Sequence, residues 1–133
     1  MELYRVDEIE CANVPAMSYV SSTKPGIVRG PHEHREQSDY FGFTGPSTFR
    51  LYFWDNRKDS PTYKKNFKID VGENFKASVI IPPGVVHAYK NIGDCDGYVF
   101  NAPNRLFRGQ DKQFPADEIR YEDDPDSPFQ LDD

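Results

Sequence analysis

Gly26-Ile27-Val28-Arg29-Gly30-Pro31-His32-Glu33-His34 holds two of the three histidines in the chain, and Pro82-Pro83-Gly84-Val85-Val86-His87 holds the third. Histidine is the side chain best suited to proton transfer near neutral pH and the commonest metal ligand. A chain that spends its whole supply in two short motifs is therefore read as building one site. His32 and His34 stand at i and i+2, which on a strand puts both on one face. In a small barrel one face of each strand points into the lumen, where a ligand can be enclosed. Asp39 follows closely and is a further polar candidate for the same place.

Outward from these motifs the chain reads as short strands, at 19–22, 26–29, 40–43, 48–54, 63–69, 77–81, 86–90 and 97–101. Lys24-Pro25-Gly26, Thr44-Gly45-Pro46, Asp59-Ser60-Pro61, Val71-Gly72-Glu73 and Ile92-Gly93-Asp94 supply turns between them. Repeated short strands with Gly/Pro turns predict an all-β fold, an antiparallel jelly-roll β-barrel. Residues 115–121 offer the one stretch with helical character. The length of 133 residues suits a single domain, with its core over about 19–115.

Charge is unevenly placed. The net charge is −6, yet Asp117 to Asp133 holds eight acids and one base, Arg120, so the rest of the chain is close to neutral. A neutral body with an acidic end is not the composition of a nucleic-acid or anionic-membrane binder. Residues 116–133 are expected to form a solvated edge or terminal arm without a functional role. Cys11 and Cys95 lie far apart with no paired-cysteine spacing, and the N-terminal residues contain no apolar run. Both features point to a cytoplasmic protein with two free thiols.

The motif spacing is similar to that of the cupin superfamily. Gly26, His32, His34, Asp39 and Gly45 follow the first cupin motif, with Asp in place of the usual Glu. Pro82, Gly84, His87 and Asn91 match the second at every position. A narrower resemblance is to the dTDP-4-dehydrorhamnose 3,5-epimerases. Residues 21–32 resemble the segment leading into their Arg-Gly-x-His motif, and Asp55-Asn56-Arg57-Lys58-Asp59-Ser60-Pro61-Thr62-Tyr63 resembles their Asp-x-Arg-x-x-Ser-Pro-Thr-Phe stretch. Ile81 to Tyr89 resembles their Ile-Pro-x-Gly-Phe-Ala-His-Gly-Phe segment, and Ile119 to Pro125 their late Ile-x-Trp-Asn-Asp-Pro.

This resemblance implies a cupin-type jelly roll and proton abstraction next to the keto group of a nucleotide-linked 4-ketosugar. His32 would be the base, and Arg29 would bind a phosphate or polarise the carbonyl. His34, Asp39, Asp55, Arg57, His87 and Tyr89 would serve substrate binding. It implies a homodimer and no cofactor. The chain departs from the family at several positions. The lysine that stabilises the enolate is replaced by Asp39, and the catalytic tyrosine falls near Arg105-Leu106. The late segment supplying the acid that orients the base is expected to be lacking.

Three readings follow. The leading one is a divergent sugar-nucleotide epimerase or isomerase, since the related 3,4-ketoisomerases also show Arg-Gly-x-His-x-His. The second is a metal cupin, with His32, His34, Asp39 and His87 as ligands to a divalent transition metal. The third is a non-catalytic module that binds a carbohydrate or nucleotide-sugar.

Overall fold

The computed structural model describes residues 1–132, and among these nearly all regular structure is extended. Nine strands form: β1 (Tyr19–Thr23), β2 (Val28–Glu33), β3 (Asp39–Phe43), β4 (Thr48–Asp55), β5 (Asn66–Gly72), β6 (Ala77–Ile81), β7 (Val85–Asn91), β8 (Gly97–Asn101) and β9 (Ile119–Arg120). They pair antiparallel in two sheets, one ordered β1-β8-β3-β6 and the other β5-β4-β7-β2-β9. This is the jelly roll that the sequence predicts.

Alternation of side chains makes the core. On β8 Val99 and Asn101 are buried while Tyr98 is exposed, and on β6 Ile81 points in while Ile80 points out. The interior is built from rings. Phe41, Phe43, Phe49 and Tyr89 meet edge to face or tilted with centroids 5.6–6.0 Å apart. That geometry suits the quadrupoles of aromatic rings and accounts for a core poor in leucine. The core adjoins the histidines directly, with the Phe41 ring 5.8 Å from that of His87.

The strand boundaries differ in places from the sequence reading. β2 starts at Val28 and runs through His32 to Glu33, and β5 starts at Asn66. The C-terminal stretch differs more. Residues 119–120 are not helical but pair with β2 as β9, and Tyr121–Asp123 form a single 3₁₀ turn. The acidic end is likewise packed rather than a solvated arm. The Phe129 ring meets Tyr121 at 4.7 Å and Trp54 at 5.9 Å, and Ser127 is buried. The two cysteines are free and exposed. No helix is long and apolar enough to cross a membrane.

Candidate functional site

β2 and β7 are neighbours, and their register sets His32 opposite His87 and Arg29 opposite Tyr89. A bulge between Arg29 and His32 re-aims the strand as it enters the motif. Gly30 sits in that bulge at φ +95, and a Cβ there would lie 2.6 Å from the His87 carbonyl oxygen. Only glycine lets β2 approach β7 closely enough to bring the three imidazoles together. Their centroids lie 4.6 Å apart for His32–His87, and 5.6 Å for both His32–His34 and His34–His87.

Asp39 opens β3 on the opposite sheet and reaches the same spot. Its carboxylate is nearly sealed from solvent and accepts four hydrogen bonds. Oδ2 takes them from His34 Nε2 (2.9 Å) and His87 Nε2 (3.1 Å), Oδ1 from Gln37 Nε2 (2.8 Å) and Asn101 Nδ2 (3.2 Å). Burial opposes ionisation of Asp39, but the bonds from the two histidines hold its pKa well below the usual carboxylate range. His34 also gives its Nδ1 proton to the Asp117 carbonyl (2.5 Å). Burial works against a charged His34, yet Asp39 outweighs it and lifts the pKa to about 9. His34 and Asp39 are thus an imidazolium–carboxylate pair at neutral pH. His87 is fully enclosed, and burial lowers its pKa despite the same partner.

His32 stands outside this network. Its Nδ1 is buried without a hydrogen bond, and carboxylate oxygens of Glu118 and Glu122 each lie 3.6 Å away. Glu122 is held in place by accepting the Gly30 amide proton (2.9 Å), and its pKa is lowered chiefly by His32. Both glutamates come from the C-terminal strap, residues 117–123, that carries β9 and its 3₁₀ turn, so carboxylates stand beside the His32 ring where the sequence reading expected none. Asp117 anchors the strap by accepting the backbone N–H groups of Arg35, Glu36 and Gln37 at 2.8–2.9 Å. On the far face of β2, Tyr121 Oη donates to buried Glu33 (2.5 Å), which also accepts from Asn56 (2.9 Å).

Above His32, His34, Asp39 and the strap lies a cavity of about 420 Å³. Arg29, His32, His34, Asp39 and Tyr89 border it, with His87 just beneath. Asp55 and Arg57 do not border it. The resemblance implied ligand contact for both, but the structure ties them to each other. Asp55 accepts from Arg57 Nε (2.9 Å), Nη2 (3.1 Å) and backbone N (3.0 Å), from Ser60 Oγ (2.6 Å) and from Thr62 Oγ1. The Arg57 guanidinium accordingly holds the Asp55 carboxyl well below its usual range. This knot braces the turn before β7, since Asn56 N bonds the Gly84 carbonyl and Gly84 N bonds the His34 carbonyl.

Sequence reading missed Tyr19, Arg108, Asp117, Glu118 and Glu122, all of which border the cavity. The signal for Tyr19 was the alternation along β1, which sends Tyr19, Ser21 and Thr23 to one face. Its hydroxyl accepts from Asn101 Nδ2 (3.0 Å), and burial pushes its pKa up, with Arg29 acting against the rise. Three other tyrosines are placed differently. Tyr40 donates to the Leu3 carbonyl elsewhere, Tyr98 faces solvent, and Tyr89 is committed to the aromatic core.

His32, His34, Asp39 and His87 offer donor atoms within 4.8 Å of one another, a set chemically suited to a divalent transition metal. His87 Nδ1 lies 3.0 Å from the Val85 carbonyl, a contact that orients the ring with Nε2 toward Asp39.

No protein-family model matches the chain. It is 37% identical over 113 residues to the probable low-salt glycan biosynthesis epimerase Agl13 of Haloferax volcanii, covering 84% of this chain and 71% of that protein. The fold is similar to that of a dTDP sugar isomerase from Desulfovibrio desulfuricans, with TM-score 0.78 and 21% identity over 97% of this chain and 78% of that one. It is also similar to dTDP-4-dehydrorhamnose 3,5-epimerase from Sulfolobus tokodaii, with TM-score 0.69 and 22% identity over 97% of this chain and 72% of that one.

Proposed function

The chain belongs to the dTDP-4-dehydrorhamnose 3,5-epimerase-like cupins, and from that premise we propose that it epimerises or isomerises a nucleotide-linked 4-ketosugar with His32 as the base. The observation that carries this reading is the difference between His32 and its two neighbours. His34 and His87 are both spent on Asp39, whereas His32 has a free ring edge in the cavity and a carboxylate pair beside Nδ1. Those carboxylates favour the tautomer with hydrogen on Nδ1, which leaves Nε2 unprotonated and able to take a proton α to the carbonyl. They also stabilise the imidazolium that this transfer creates.

The exchange of the family lysine for Asp39 does not oppose the developing enolate as its charge alone would suggest. Asp39 is neutralised locally by His34, so its field at the substrate is weak. Arg29, which has no carboxylate within ion-pair reach among the described residues, supplies the positive charge that polarises the carbonyl oxygen. Tyr19 is protonated at neutral pH, borders the same cavity and returns the proton. The protein works as a homodimer in the cytoplasm.

Incubation with dTDP-4-keto-6-deoxyglucose in deuterium oxide tests this reading. Deuterium enters the sugar next to the carbonyl with the wild type and not with His32→Asn. Absence of exchange with the wild type on this and other nucleotide-linked 4-ketosugars overturns it.

The convergence of four donor atoms within 4.8 Å of one another favours a second reading, in which His32, His34, Asp39 and His87 hold a divalent metal that would act as a Lewis acid on a carbonyl oxygen. Near-stoichiometric metal in protein purified without chelator or affinity tag, lost in His34→Ala, would establish it.

A further inference from the structure

Asn101 ends β8, all but sealed from solvent, and no motif marks it. Antiparallel pairing sets it opposite Tyr19 on β1 and opposite Phe41 on β3. Alternation along β3 brings Asp39, two residues before Phe41, to the same inner face. The Asn101 side chain spans the gap between Tyr19 and Asp39. Its Nδ2 donates to the Tyr19 hydroxyl (3.0 Å) and to Asp39 Oδ1 (3.2 Å), and its Oδ1 accepts the Tyr40 backbone N–H (3.1 Å).

These partners leave the amide one orientation. The Tyr40 N–H can only donate and the ionised Asp39 carboxylate can only accept, so oxygen faces the first and nitrogen the second. Both Nδ2 hydrogens are then spent, one on each oxygen. Tyr19 Oη is therefore the acceptor in its bond with Asn101, and its own proton is left over. No acceptor takes that proton among the described residues, and Tyr19 borders the cavity. A tether matters at this position, because the Tyr19 ring is half-exposed and β1 is the edge strand of its sheet.

We propose that Asn101 is the positioning residue for the proton-donating half of the reaction, turning the Tyr19 hydroxyl proton into the cavity and steadying the phenolate that its loss creates. The assignment rests on the epimerising form of the reading above, with His32 as base and Tyr19 as acid, and extends it. The two groups come from opposite sheets. His32 Nε2 takes the proton from the carbon beside the carbonyl, and the C–H electron pair passes into an enolate with its charge on the carbonyl oxygen. As the enolate collapses, the carbon bonds to the Tyr19 proton on its other face. Imidazolium and phenolate remain, and water removes a proton from the first and supplies one to the second. An N–H held on a phenolate oxygen is a charge-assisted bond, stronger than one to neutral phenol. Asn101 thus helps most once the proton has left.

The test incubates the full chain with dTDP-4-keto-6-deoxyglucose in deuterium oxide and follows two rates by nuclear magnetic resonance. Exchange with retained configuration needs only His32, which trades its proton with solvent and returns a deuteron to the same face. Inversion needs Tyr19 as well. Asn101→Ala is expected to lower the ratio of inversion to exchange by roughly 10- to 100-fold, the scale of one hydrogen bond to a charged group. Asn101→Asp keeps the shape and the acceptor for Tyr40 but turns an oxygen toward Tyr19, and it should lower the ratio as far. In a Tyr19→Phe background the Asn101 change should have no further effect on the ratio. Thermal melts identify the Asn101 variant that keeps the fold. An unchanged ratio in that variant overturns the positioning role, since a purely structural residue slows both rates alike. Wild-type exchange without inversion overturns it as well. Both of those outcomes leave proton abstraction by His32 standing. Absence of exchange by the wild type instead overturns the catalytic reading, and the role of Asn101 with it.

Discussion

His32 and His87 stand opposite each other across β2 and β7 with their rings edge to face at 4.6 Å, yet only His87 is bound to Asp39. Two imidazoles in van der Waals contact thus have opposite employment. One is locked into a buried network, and the other is left with a carboxylate pair on one edge and the cavity on the other.

Replacing the free imidazole should remove chemistry and spare the fold. His32→Asn is expected to lower the exchange rate by roughly 10²- to 10⁴-fold, the range for loss of a general base. Its unfolding midpoint in urea should stay close to that of the wild type, because Nδ1 makes no hydrogen bond to lose.

Asp39→Ala should do the opposite. It leaves a buried imidazolium unpaired, and breaking such a pair costs about 3–5 kcal/mol. Chemical denaturation should show the loss directly, with near-ultraviolet circular dichroism reporting disorder around the aromatic core.

The same pair sets a pH dependence. The folded pKa of His34 is about 9, above its ordinary 6.5, so its contribution to stability is complete below about 6.5 and disappears as pH rises through about 9. Asp39 is lowered, so its contribution is present above its ordinary value of 3.8 and is lost as pH falls below it. Stability measured from pH 7 to 10 should therefore decline, and in His34→Gln this alkaline decline should be absent.

The strap should act on rate through His32. Glu118→Gln with Glu122→Gln is expected to slow exchange by roughly 10- to 100-fold, the scale seen when partners that orient a reactive imidazole are removed. Nitrogen-15 spectra of labelled histidine should show the His32 tautomer shifting away from Nδ1–H. Tyr121→Phe, which frees the far side of the strap from Glu33, should cost about 1 kcal/mol of stability.

The outer face of the sheet β1-β8-β3-β6 exposes Val20, Tyr98 and Ile80. A second copy of the chain is expected to cover it. Light scattering at micromolar concentration should give twice the chain mass, and Val20→Glu with Tyr98→Glu should halve it.

Much of this was legible in the one-dimensional record because it is local. Strand positions follow from residue alternation and from Gly/Pro turns, which act over a few residues, and β6 and β8 fall where the pattern puts them. The i, i+2 spacing of His32 and His34 and the motif around His87 likewise needed no tertiary information. Asn91 illustrates the limit of such motifs. Its place in the second motif is marked, but its side chain is wholly structural, tying Ser47, Gly93, Thr23 and Cys95 together.

The sequence by itself determined an all-β jelly roll, one histidine-lined site and the identity of the likeness that names the family. Only the tertiary structure decided which histidine is free, that Asp55 and Arg57 brace a turn, and that Tyr19, Arg108 and the acidic strap reach the cavity. The physical reason is chain distance. Glu122 meets Gly30 and Asp117 meets Arg35 through pairing of a two-residue strand, too short to leave any periodicity. An acidic run reads as solvated when its charges are counted along the chain. It becomes a wall of the site once folding sets those charges against an imidazole and a row of backbone amides.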